Sequence, residues 1–439
     1  MLSKNKLLIL TGIFLTVLLC HSVYRDILLI KQYPNDLRNR VVGARLQKDG
    51  KLPYFYFWTA EDGGRYWDGD NCHGTRGAGN KITASPFFHE LLFPICDFSF
   101  LTISRIWFVL QYIMLGCMII IFCSLTTSLS KKMLVIATGL LFMSTEAWKI
   151  QIEQGQLYFF VAFLMSVIIA GLVWNKKSLL VLAGICAGAF VLTRPIALVI
   201  FIPFIFQYRK YSLFLGSACA GLVIYALFVL FVPSENALWK EYARALKAHV
   251  AFHQDDRARI PLDPCPPINH PKEIMYWENN KISDENLINT YSENGNVFVI
   301  YIQIFHKKMP LILLNALSAL AILSLTGLYY YRFGKHKPAL LQTLILGLSL
   351  YMLVEIFSPV RRNQYNAVQW LPIILAGFLF ISNWKNIAFL LLAAGLFLNI
   401  SNAAWIPMRH TLGEFCWLAA SLIIVFIPQN KIEWKRKPL

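Results

Sequence analysis

Long apolar runs separated by short charged joints make up most of the chain. Runs with the length and composition of bilayer-crossing helices lie near 7–24, 103–126, 133–147, 157–174, 178–193, 196–207, 212–232, 309–331, 338–356, 366–382, 386–403 and 413–428. The pattern predicts an all-α polytopic membrane protein with about twelve spans, the third, fifth and sixth being short for a perpendicular crossing. Two long polar stretches, 25–102 and 233–308, interrupt the rhythm. They divide the chain into a membrane module at 1–232 that carries the first long loop, a second long loop at 233–308, and a set of membrane helices at 309–439. A basic start (Lys4, Lys6) before the first run resembles a signal peptide, yet no small-residue cleavage site follows, so a retained span is expected.

The first loop opens with residues 35–56, NDLRNRVVGARLQKDGKLPYFY. Asn35 and Asp36 are capping residue types, Gly50 suits a helix end, and Pro53 forbids continuation. Between these punctuation marks, Leu37, Val41, Ala44 and Lys48 share one helical stripe, and Asp36, Arg40, Gly43 and Gln47 share another. The expectation is a short amphipathic helix near a membrane surface with an acid at its head. Asp68, Gly69 and Asp70 open a Gly-rich polar segment (68–80) that is expected to be a turn or loop tip.

Charge sorts the joints into two sets. With the N-terminus inside, Lys131/Lys132, Lys176/Lys177, Arg209/Lys210, Arg332, Lys337, Lys385 and the tail with Lys431 and Arg436 become cytoplasmic, as the positive-inside bias requires. The opposite set contains both long loops and three short joints, 149–156, 193–195 and 358–366, with Arg409 and His410 beside them. The polar residues of interest are therefore expected on one external face, with both termini cytoplasmic; the localisation expected is a cell (inner) membrane with that face periplasmic. The spans themselves read as almost free of acids apart from Glu355, near a span end.

Composition agrees: 57% of 439 residues are hydrophobic, 15% are charged, and the mean hydropathy is +0.52. The net charge of +17 is accounted for by topology and does not call for nucleic acid. Nine cysteines show no metal spacing; Cys72 and Cys265, in the two long loops, are candidates for a disulfide if that side is oxidising. His249 and His253, four apart with Asp255 and Asp256 following, have metal-ligand spacing but no identifiable third ligand, so no cofactor is expected and a divalent metal has no supporting ligand set. No phosphate loop, zinc-protease or serine-hydrolase motif occurs.

One carboxylate facing several fixed cations suits transfer from a lipid phosphate. Asp36 would accept a proton from an acceptor hydroxyl, and Arg194, Arg361 and Arg362 would hold the departing phosphate through forked hydrogen bonds. Plainer readings stand beside this one: Asp36 as a cap or as an i,i+4 partner of Arg40, the arginines as residues reaching lipid head groups, and Gln156 as a group satisfying a broken helix end. The aromatic run 54–58 is an interfacial belt or a platform for sugar rings.

Three patches in order carry a resemblance: the acid-headed helix with Asp36, Gly50 and Tyr54 or Tyr56; SPFFHELLFP at 85–94 leading to Trp107; and GQLYFF (155–160) with LTRPIALVIFIP (192–203), followed by SPVRRNQYN (358–366) and Leu371-Pro372. Together they resemble the polyprenol-phosphate-sugar-dependent transferases of the GT-C superfamily, specifically the mannosyltransferase-like glycosyltransferase family 87. The resemblance implies a multi-span enzyme that moves a monosaccharide, mannose by default, from a polyprenyl-phosphate sugar to a glycan or glycolipid acceptor on the external face. It also implies inversion, with Asp36 as general base. Arg194 stands where family members often have Lys. Gln156, Tyr365 and His410 would orient sugar donor or acceptor. The rival readings are a glycan ligase or polymerase using a pyrophosphate-linked lipid, and a lipid-phosphate flippase or transporter, for which charge deeper in the spans would be expected.

Overall fold

The computed structural model describes residues 4–30, 35–58, 60–67, 78–79, 82–205, 207–254, 296–333, 340–360, 362–381, 386–400, 406 and 408–426. Arg361, Cys72, Cys265, Asp68, Gly69, Asp70, Asp255 and Asp256, on which expectations were placed, lie outside these residues.

Helices account for nearly all of the described chain. In order they are α1 (Lys4–Ile30), α2 (Asn35–Lys48), α3 (Pro86–Leu92), α4 (Phe100–Ser124), α5 (Leu129–Phe142), α6 (Glu146–Gln154), α7 (Tyr158–Trp174), α8 (Lys177–Thr193), a 3-10 turn Pro195–Phe201 running into α9 (Ile202–Ile205), α10 (Ser212–Phe231) and α11 (Pro233–Gln254). After the second long loop come α12 (Val297–Phe305), α13 (Leu311–Phe333), α14 (Leu340–Ile356), a 3-10 segment Gln364–Trp370 continuing into α15 (Leu371–Phe380), α16 (Ile387–Ile400) and α17 (Arg409–Phe426). A two-residue antiparallel pairing of Phe57 with Gly79 and Trp58 with Ala78 sits in the first loop.

Local chemistry explains the breaks. Ser85, Ser99 and Thr145 cap α3, α4 and α6 by accepting from the backbone N–H of Phe88, Thr102 and Trp148. Pro195, Pro203 and Pro372 stand where helices restart. Every predicted span beyond the first coincides with a helix or with a short broken pair. Five described helices are long and apolar enough to cross a membrane, or six if α5 and α6, bent by 57°, form one broken span. Five further apolar helices of 10–17 residues fall below that length.

α7 is apolar around its whole circumference and is buried accordingly. α4, α8, α14, the 364–370 segment and α15 pack against it, and Trp148, Trp370 and Trp417 are fully enclosed. By contrast α1, α10 and α13 present large apolar side chains outward, with Phe231 and Ile312 each about four-fifths exposed. Such a surface is stable against lipid and not against water.

Contacts also test the sorting of the joints. The ends around Gln156, Arg194, Glu355, Arg362 and Glu414 meet one another, through Asp36 with Gln156, Tyr158 with Arg194 and Tyr365, Arg194 with Glu355, and Arg362 with Glu414. At the other helix ends, Lys131 donates to the Leu379 carbonyl, Tyr330 to Pro203 and Gln342 to Val425. The joints that charge placed on one side are gathered at one end of the bundle.

Two expectations are corrected. α1 runs to Ile30, past the predicted end at 24, so Asp26 lies inside an apolar helix, and Glu414 lies inside α17. The helices are therefore richer in buried acids than Glu355 alone. α2 is also no surface helix: Leu37, Asn39, Arg40, Val41, Val42, Ala44 and Leu46 are all buried.

Candidate active site

The burial of α2 explains how an acid is held at its head. Leu37, Val41 and Ala44 enter the main core against Phe88 and its neighbours, which include Trp107 in an edge-to-face contact. Val42 and Leu46 enter a second, smaller core formed with Tyr54, Phe55, Tyr66, Ile82 and, from α11, Leu238, Tyr242 and Ala245. Tertiary packing on both sides holds a polar helix in place. Its C-terminal end is tied down by Arg45, which donates to the carbonyls of Cys96, Arg65 and Phe98 at 2.6, 2.9 and 2.9 Å. An ion network of Lys48 and Arg65 with Asp49 and Asp97 lies beyond, and these cations hold both carboxyls below their usual range.

The stripe Asp36, Arg40, Gly43, Gln47 faces the functional end. Gln156 donates from Nε2 to the half-buried carboxylate of Asp36, and its Oε1 accepts from Nη2 of Arg40. The other Arg40 nitrogen, Nη1, donates to the Asp36 backbone carbonyl at 2.5 Å. Arg40 thus engages Asp36 through its main chain and through Gln156. Gln156 is itself placed by α6: Gly155 ends that helix at φ +62°, a left-handed turn that glycine adopts without strain, and Gln151 donates to the Gln156 carbonyl while also reaching Gln111.

One turn along, Gly43 receives the ring of His89. A methyl group there would sit 2.5 Å from Nε2. The His89 ring is fully enclosed, its Nδ1 lies 3.2 Å from Gln47 Oε1, and burial together with Arg40 pushes its pKa down to about 3. Gln47 and Tyr225 both donate to Glu90, whose carboxyl is raised by desolvation.

From the opposite wall comes the 364–370 segment. Tyr365 stacks on Tyr158 with ring centroids 5.4 Å apart and planes 22° apart, and its hydroxyl feels the charges of Asp36 and Arg40. Asn363 donates to that hydroxyl at 2.5 Å. Tyr158 in turn accepts from Nη1 of Arg194 at 3.2 Å, and the guanidinium carbon lies 5.0 Å from its ring centre. Arg194 also forms an ion pair with the buried Glu355. Tyr365, Tyr158, Arg194 and Glu355 are therefore linked by contact, with the charge of Asp36 reaching the Tyr365 hydroxyl.

Arg362 and His410 belong to an adjoining buried cluster. Nη1 of Arg362 pairs with Glu414, whose second oxygen accepts from the Trp370 indole at 2.8 Å, while Nε and Nη2 of Arg362 make no hydrogen bond. Nδ1 of His410 lies 3.3 Å from Asn399 Oδ1. The 358–360 joint is fastened by Asn296, which donates to the Ser358 and Val360 carbonyls.

Sequence reasoning had no role for Gln151, Tyr158 or Asp26, and for Arg40 only that of an i,i+4 partner of Asp36. Arg40 was visible as a neighbour of Asp36 on one stripe. The others had no signal, since which groups they meet is set by how separate helices pack and not by any local spacing. Asp26 accepts from Arg25, from the Tyr112 hydroxyl and from the Trp148 indole, both of the latter at 2.7 Å.

No match was found among curated proteins or among solved structures. Residues 83–258 match the sequence model of glycosyltransferase family 87, which takes in the 85–94 patch, Gln156, Tyr158 and Arg194 but neither Asp36 nor the 358–366 joint. That match covers less than half of the chain and shows its residues 83–258, within a bundle of apolar helices, to be similar to glycosyltransferase family 87.

Proposed function

We propose that the chain transfers one sugar, mannose in the first instance, from a polyprenyl-phosphate sugar to a glycan or glycolipid acceptor on the external face of the membrane. The observation that carries this reading is the carboxylate of Asp36, half-buried at the head of a clamped helix, which accepts from Gln156 and whose charge is felt at the Tyr365 hydroxyl. Asp36 takes the proton of the acceptor hydroxyl as its oxygen bonds to the anomeric carbon. The bond from that carbon to the phosphate oxygen breaks on the opposite face, so configuration inverts and polyprenyl phosphate departs. Arg194, with Arg361 and the remaining N–H groups of Arg362, stabilises the phosphate charge; Tyr365 and His410 orient the reactants.

Glu355 offsets the charge of Arg194 at rest and holds its guanidinium beside Tyr158, leaving the remaining N–H groups to the phosphate. A transport reading would draw on Asp26 and Glu414, but each of these is closed by an ion pair and an indole hydrogen bond. The test is Asp36→Asn in membranes carrying the full chain and supplied with radiolabelled polyprenyl-phosphate mannose. Transfer to endogenous acceptor falls by at least about 100-fold, the scale of a lost general base, while the protein remains folded. Undiminished transfer would overturn the assignment.

A further inference from the structure

Resting on the reading of Asp36 as the base, we propose that Gln156 and Arg40 form a positioning pair that acts on the base and not on the sugar. The carboxamide of Gln156 has one donating and one accepting end. Arg40 occupies the accepting oxygen, which turns the NH2 group toward Asp36. Arg40 is buried and is fixed to the first turn of its own helix through the Asp36 carbonyl. The amide orientation is thereby enforced: the Asp36 carboxylate receives a donated hydrogen bond, and the Arg40 charge stands behind the amide that donates it. The backbone on the far side is equally fixed, by the left-handed Gly155 and by the bond from Gln151. A glutamine whose two ends are both engaged by protein has little left for a ligand.

Among the described residues, the charged and titratable groups around Asp36 come from α2, α3, α6 and the 364–370 segment. On α2 itself these are Arg40 and Arg38, the latter lying over the Trp67 and Phe100 rings. From α3 come His89, against Gly43, and Glu90, at the far end of the stripe beside Gln47. α6 brings Lys149, paired with Glu146 at 3.3 Å, and Glu153; the 364–370 segment brings Tyr365.

Gln156→Glu is close to isosteric and replaces the donating end with a second carboxylate. The pair then shares protons, and the acid limb of the pH–rate profile should move up by about 1 unit or more. Arg40→Met removes the group that sets the amide, and should lower the initial transfer rate roughly 10-fold with the same upward displacement. Initial rates in membranes with radiolabelled polyprenyl-phosphate mannose, measured across pH for wild type, both variants and Asp36→Asn, decide the matter. Thermal melts confirm folded protein. An unmoved acid limb in both variants overturns the proposal, as does a raised KM for the sugar donor with kcat retained, which would assign Gln156 to the ligand. Continued transfer by Asp36→Asn would instead remove the reading of the base on which the proposal stands.

Discussion

Arg194, at the end of α8, and Glu355, one residue before the end of α14, form an ion pair whose two members differ in burial: the glutamate side chain is 3% exposed and the arginine 25%. The asymmetry dictates which half is costlier to lose. Arg194→Met strands a carboxylate in an enclosed site, whereas Glu355→Gln leaves an arginine that still reaches water and Tyr158. Stability should drop by about 3 kcal/mol for Arg194→Met and by clearly less for Glu355→Gln. Melting temperatures of the two variants check this, and equal losses would mean that the pair does not act as its burial suggests.

The large features of this architecture were legible in sequence because they rest on local rules. Apolar runs located the helices, charge bias placed the joints at 149–156, 193–195 and 358–366 together, and Gly50 and Pro53 marked the end of α2. What was not legible depended on partners distant in sequence. The stripe of Asp36, Arg40, Gly43 and Gln47 was visible, but that it would be pressed against Gln156, His89 and Glu90, leaving the helix buried on both sides, depended on packing between α2, α3, α6 and α11. Asp26 and Glu414 were missed for the same reason: a charge inside an apolar run is tolerated when Arg25, Tyr112 and Trp148, or Arg362 and Trp370, close around it.

Close contact at Gly43 makes a sharp steric test. Its missing side chain admits the His89 ring, and an added Cβ would lie 2.5 and 2.7 Å from two ring atoms. That ring is enclosed and bonded to Gln47, so α2 and α3 must separate. Gly43→Ala should cost about 1–3 kcal/mol and lower transfer by moving Asp36 away from Gln156. Gly64→Ala, in the same loop with nothing near its Cβ position, should leave both quantities close to wild type. The comparison is made by thermal melts and initial transfer rates.

His89 supplies a pH dependence with a definite sign. Its folded pKa of about 3 lies below the ordinary 6.5, so the unfolded chain binds a proton at this site that the folded chain refuses. The contribution is fully present above about pH 6.5 and is lost as pH falls toward 3, at up to about 1.4 kcal/mol per pH unit in that window. Asp49 and Asp97, held low by Lys48 and Arg65, act with the same sign at lower pH. His89→Gln retains a partner for Gln47 without titrating, and its stability should therefore decline less steeply than wild type between pH 6.5 and 4. Parallel curves would show that the ring does not carry the linkage.

Asp26 is the remaining charge whose removal should be felt at a distance. Its Oδ1 accepts twice from Arg25, its Oδ2 accepts from Tyr112 and Trp148, and Arg25 also donates to the Met143 carbonyl at 2.8 Å. Met143 lies at the 57° bend between α5 and α6, where helix carbonyls would otherwise lack partners. The cluster therefore sets the direction of α6, and α6 carries Gln151 and delivers Gln156 to Asp36. Trp148→Phe removes one hydrogen bond and should cost about 1–2 kcal/mol. Asp26→Asn removes the charge that balances Arg25 and should cost about 3 kcal/mol, with a fall in transfer per folded molecule that Trp148→Phe does not match. Melting temperatures and transfer rates normalised to folded protein separate the two, and an Asp26→Asn protein as stable and as active as wild type would show that the bend is set elsewhere.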